Sequence, residues 1–84
     1  MDFVTTIGMI AAAATTSAFL PQAIKTIKTR HTKDISLWTY LILAVGLALW
    51  FIYGLLITDW PIILANGVTL LFVGTIFLLK LKHG

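Results

Sequence analysis

With 84 residues, 60% of them hydrophobic and 11% charged, the chain has a mean hydropathy of +1.02. A soluble domain this small buries only about 60% of the surface its unfolded chain exposes, too little to hide such an apolar excess. The absence of cysteine excludes disulfides and thiolate metal centres, and the net charge of +3, with a pI near 9.6, is distributed to set membrane topology rather than to bind nucleic acid.

Charge is confined to short breaks between long apolar runs. Asp2 precedes an uncharged stretch of 22 residues from Phe3 to Ile24. Lys25, Lys28, Arg30, Lys33 and Asp34, with His31 among them, separate it from a second uncharged run, Ile35 to Thr58. Asp59 interrupts before Trp60 to Leu79, and Lys80 and Lys82 follow. About 20 apolar residues cross a bilayer as a helix. The pattern therefore predicts an all-α membrane protein, one domain over 1–84 with helices over about 3–24, 35–58 and 60–79. The first run is too long for a signal-peptide core and lacks a basic segment before it, so it is expected to persist as a helix. All six Lys and Arg residues lie between the first two helices or after the third. The positive-inside rule makes those the cytoplasmic segments, with the N-terminus and the Thr58–Pro61 turn outside. A bias of six to none also predicts that two copies insert in the same orientation.

The first helix is small-faced in its outer half, with Gly8, Ala11–Ala14, Thr15, Thr16, Ser17 and Ala18. Small residues four apart, such as Gly8 with Ala12, let another helix approach closely in lipid. Phe19 shares a face with Thr15 and Thr16. Near the inner end stands Phe19-Leu20-Pro21-Gln22. Pro21 has no N–H, so the carbonyl of Ser17 loses its helical partner and is crowded by the ring. Two readings follow: a moving joint beside a charged loop, or a simple helix stop at the membrane surface.

The Lys25–Asp34 loop is short and polar, and its lysines and threonines suit solvent or lipid headgroups. Asp34 and Ser36 are rival caps for the second helix. Trp38 and Tyr40, at its inner edge, fit interfacial anchors. Gly46, Trp50 and Gly54 are four apart on one face, with Tyr53 beside them. Trp50 lies about 13 Å below the outer end, too deep for the interfacial belt, and its indole N–H needs a partner there. In the Thr58-Asp59-Trp60-Pro61 turn, Pro61 suits the first turn of the third helix and Asp59 its cap. Asn66, in Asn66-Gly67, lies about 10 Å from the outer end, level with Trp50. A carboxamide at that depth faces protein or water rather than lipid, as a clamp between helices or as a ligand contact.

No charged group lies deep in any run, so the usual mark of a proton relay is missing. There is no nucleophile–base pair, no metal-ligand spacing and no phosphate loop, so an enzyme has nothing to stand on and neither a metal nor another cofactor is expected. An aromatic ring and a carboxamide at one level suit an uncharged polyhydroxy ligand: the ring lies against C–H groups while the amide both donates to and accepts from hydroxyls. Three helices fill their own centre. Two copies related by a two-fold along the membrane normal surround a lumen with a pair of Trp50 and a pair of Asn66.

Three helices, Phe19-Leu20-Pro21-Gln22, a Lys-rich loop running into Asp34-Ile35-Ser36, a deep Trp50 and Asn66-Gly67 together resemble the bacterial SemiSWEET sugar transporters of the PQ-loop (MtN3-saliva) group. The likeness spans essentially the whole chain. It implies an inner-membrane homodimer, six helices in parallel, that carries mono- or disaccharide down its gradient by alternating access. It further implies sugar binding by Trp50 and Asn66, an inner gate and hinge at Phe19, Pro21 and Gln22, and an outer gate at Tyr53 and Asp59. Some members of the family have a basic residue beside that aspartate. Here Ile57 and Thr58 precede it, so a hydrogen bond from Tyr53 is the expected link. A carrier of an amino acid or organic acid, or a structural membrane peptide that dimerises through its small faces, are the rival readings.

Overall fold

A computed structural model describes residues 2–84. It contains three helices, α1 (Phe3–Thr29), α2 (Leu37–Ile57) and α3 (Trp60–His83), each long and apolar enough to cross a membrane. Each begins at a side chain that accepts from an otherwise unpaired backbone N–H. Asp2 takes the N–H of Thr5 at 2.8 Å, Ser36 that of Thr39 at 3.2 Å, and Asp59 that of Ile62 at 3.2 Å. Ser36, not Asp34, thus caps α2. Asp34 instead lies in the open with its carboxylate 3.8 Å from His31.

The α2–α3 turn is closed by two carbonyls of α2: the Thr58 N–H donates to Leu55 O and the Asp59 N–H to Gly54 O. This pairing needs a left-handed residue at the helix end. Thr58 supplies it at φ 54°, although a β-branched residue disfavours that region. The turn sets Asp59 directly at the start of α3, with Pro61 in its first turn.

Two helix ends differ from those expected of the apolar runs. The first helix does not stop at Ile24 but continues to Thr29, so Pro21 lies eight residues inside it. The third continues past Leu79 to His83. Hydropathy marks where lipid ends, whereas Lys and Thr keep helical hydrogen bonds in the headgroup region. Thr26 and Thr29 donate their hydroxyls back to Gln22 O and Lys25 O, and α1 ends at Arg30, in the left-handed region at φ 54°. Pro21 is therefore an interior break in the hydrogen-bond ladder and not a stop.

Among the described residues α3 packs against both α1 and α2, while α1 and α2 do not pack on each other. The spatial order is α1, α3, α2, and the backbone forms a slab with extents of 44 × 23 × 14 Å. Glycines set the close approaches. A Cβ on Gly54 would lie 2.8 Å from Ile62 Cγ2 and 3.2 Å from Ile63 N, and one on Gly8 would meet Pro61 at 2.9 Å. Of the few fully buried side chains among the described residues, Ala23, Val73 and Ile76 belong to the α1–α3 pair and Thr32 to the connection between α1 and α2. A slab one helix thick encloses nothing by itself.

Candidate functional site

Trp50 and Tyr53 stand one turn apart on α2, edge to face, with ring centroids 5.6 Å apart and planes at 88°. This is the favoured arrangement of two aromatic quadrupoles. Both are about half exposed, 54% and 49%. With Gly46 and Leu49 they border an open hollow of about 350 Å³. Gly46 holds it open, since no atom lies within 4 Å of where its Cβ would stand. Seven residues separate Trp50 from the end of α2, placing it about 10 Å from the Asp59 turn.

Asn66 is half-buried on α3, six residues or about 9 Å from Trp60, hence level with Trp50. Its Nδ2 donates to Ile62 O at 2.9 Å. That bond turns the amide along its own helix, and among the described residues no hydrogen bond reaches its Oδ1. One amide hydrogen and the whole acceptor oxygen stay open for another partner.

The two residues lie on the same broad side of the slab. Phe51 packs on Gly67 and, with Leu64, Val68 and Leu71, lines a groove on one side of the α2–α3 pair. Met9, Ala13 and Thr16 of α1 join Leu64 and Val68 on that same side. Asn66 is two residues from both Leu64 and Val68, which turns it to the opposite side. Trp50 and Phe51 flank the Gly54 line that faces α3, so Trp50 also points away from the Phe51 groove. On α1 the same periodicity brings Ala11, Thr15, Ala18 and Gln22 to the Trp50–Asn66 side.

Phe19, three turns from Gly8, is half-buried toward α3, whereas Pro21 and Gln22 are exposed. Gln22 borders a polar hollow with Lys25, Thr26, Thr29 and His31. At the other end of the slab Asp59 is half-buried and its Oδ1 is engaged by the Ile62 N–H. The expected bond from Tyr53 to Asp59 is not made within the chain: the Tyr53 ring is turned to Trp50. Asp2, at the same end, has its carboxyl pulled below its ordinary value by hydrogen bonding to Thr5, side chain first and backbone second.

Sequence reasoning missed two residues. Thr32, assigned to solvent or headgroups, is 2% exposed. The ammonium of Lys80, read only as a topology charge, donates to the carbonyls of Thr32 and Lys33 at 3.1 and 3.4 Å. No spacing rule links positions 48 residues apart, so nothing in the sequence pointed to this contact.

Three apolar helices, a proline inside the first of them and an aromatic–amide level across one open side define a small integral membrane protein. The pattern of the PQ loop repeat matches residues 3–63, and the chain belongs to that family. It is similar to the sugar transporter SemiSWEET of Bradyrhizobium diazoefficiens, 53% identical over 78 residues that cover 93% of this chain and 91% of the relative. Among solved structures, it superposes on SemiSWEET in the inward-open conformation with a TM-score of 0.93 at 38% identity, covering 96% of this chain and 94% of that one. A bacterial homologue of SWEET transporters gives 0.82 at 44% identity, covering 99% of this chain and 100% of that one.

Proposed function

We propose that the protein is a facilitative sugar carrier working as a parallel homodimer, with the sugar held on the two-fold axis between the Trp50 and Asn66 residues of both copies. The observation that carries this reading is the half-exposed Trp50–Tyr53 pair over an open hollow, level with an asparagine whose oxygen accepts no hydrogen bond among the described residues. A hollow lined by one helix cannot surround a solute, and a second copy set face to face across it can. The names of the relatives support sugar as the solute. The ring offers a face to C–H groups and the amide offers donors and acceptors to hydroxyls.

Movement follows from α1. Pro21 leaves the Ser17 carbonyl without its helical donor, so a pivot of the Gln22–Thr29 part about that point breaks no hydrogen bond there and opens or closes the mouth toward the basic end. We place that end in the cytoplasm, in the bacterial plasma membrane, because all six Lys and Arg residues gather there. Phe19 and Gln22 flank the pivot, and Tyr53 and Asp59 border the opposite mouth. The superposition on the inward-open structure, with a TM-score of 0.93, supports the open state of the Gln22 side for the protomer seen here.

Counterflow of labelled glucose and sucrose in proteoliposomes tests the proposal. Saturable exchange by the wild type that Asn66→Ala loses is the expected outcome. A folded, dimeric wild type that exchanges neither sugar would sink the sugar reading and leave another small solute, or no transport at all.

A further inference from the structure

Side-chain hydrogen bonds among the described residues join positions no more than four apart, except at one place. There the half-buried Lys80, near the end of α3, sends its ammonium to Thr32 O at 3.1 Å and Lys33 O at 3.4 Å. Thr32 O also accepts from the Ile35 N–H at 3.1 Å, so the turn into α2 closes around the ammonium. The Thr32 side chain is 2% exposed, its hydroxyl toward Gly84 O at 3.5 Å. No carboxylate competes: among the described residues the ion pair at this end is His31 with Asp34, both exposed. Hydrogen bonds from a charged donor are roughly twice as strong as neutral ones.

We propose that Lys80 is a positioning residue of the gate: it straps the α1–α2 connection to α3, holds the part of α1 beyond Pro21 in the position seen here, and must let go when that part swings. The inference rests on the carrier reading for what the swing accomplishes. Its mechanics rest on the fold. Because α1 does not pack on α2, the Gln22–Thr29 segment is held only by its contact with α3 and by the connection that follows it. From Pro21 to Arg30 the lever is about 13 Å long. A tilt of about 15°, ordinary for a switching transition, moves its end by roughly 3 Å, enough to break a hydrogen bond. The strap is therefore a contact present in one position of the lever and absent in the other, which is what biasing an equilibrium requires.

The test uses cysteines placed at the exposed Lys28 and Lys82 of an otherwise cysteine-free chain, spin-labelled, diluted with unlabelled protein and held in nanodiscs. Lys80→Met keeps length and helix propensity but removes the donors. We expect it to add a second population to the Lys28–Lys82 distance distribution. The maximal rate of sugar exchange should change by at least about fivefold, at unaltered half-saturation. Lys80→Arg, which still donates to carbonyls, should restore both. An unchanged distribution with unchanged exchange, or a lowered melting temperature as the only effect, would overturn the strap. If the wild type exchanges no sugar, the distance measurement still decides for or against the strap while the carrier reading falls by itself.

Discussion

At the scale of single residues, the site depends on what is absent as much as on what is present. Gly46 leaves the space that Trp50 and Tyr53 border, and a side chain there meets nothing within its own protomer. Gly46→Leu should therefore fold and dimerise normally yet lose most sugar exchange, because it fills the hollow. Wild-type exchange by that variant would place the substrate elsewhere. Trp50→Ala should abolish exchange while Trp50→Phe retains a measurable part, since a smaller ring face survives although the indole N–H is lost; counterflow of the two side by side shows whether an aromatic face alone supports exchange. Asn66 bonds its own helix, so truncating it should cost no more than about 1 kcal/mol of stability. Lost transport in Asn66→Ala then reports on the site and not on the fold.

At the scale of elements, two backbone features divide the labour. Pro21 leaves a gap in the ladder of a 27-residue helix. Pro21→Ala restores the missing N–H and stiffens the helix, so it should slow exchange several-fold with little change in half-saturation, as single-turnover and steady-state uptake would show. Thr58 sits at φ 54°, a conformation costing an L-residue with a Cβ about 1–2 kcal/mol. Thr58→Gly should raise thermal stability by about 1 kcal/mol, read by a thermal-shift assay in detergent. An unchanged melting temperature would mean the turn bears no strain. The closeness of α2 and α3 around Gly54 makes those two helices one unit. What distinguishes α1 from α2, each of which packs on α3 alone, is the break at Pro21, and the proposed movement is assigned to it on that ground.

For the molecule as a whole, the order α1, α3, α2 leaves a slab that cannot enclose a solute, and the proposed function follows from pairing two slabs across the Trp50–Asn66 side. The spans carry no acidic or basic side chain between Phe3 and Ile24, Ile35 and Thr58, or Trp60 and Leu79. For the proposed carrier, whose spans hold no such proton relay, imposing a proton gradient across proteoliposomes should leave the initial rate of sugar uptake unchanged, and a gradient-driven accumulation would contradict it.

Much of this was legible without coordinates. The three spans, the caps Asp59 and Ser36 (the latter with Asp34 as rival) and the shared depth of Trp50 and Asn66 follow from hydropathy, capping chemistry and the 1.5 Å rise. All of these are local properties of consecutive residues. The end of α1 was not, because apolar length measures the lipid thickness and says nothing of a helix that continues through lysines and threonines to Thr29. Nor was the burial of Thr32 or the reach of Lys80, which depend on two segments meeting after 48 residues of intervening chain. The sequence by itself determined what crosses the membrane and which polar groups lie deep, because solvent and lipid act on each residue wherever it sits. Only the tertiary structure decided which helix stands in the middle, that Trp50 and Asn66 share a side, and that Lys80 closes on the loop, because these depend on how the helices pack against one another.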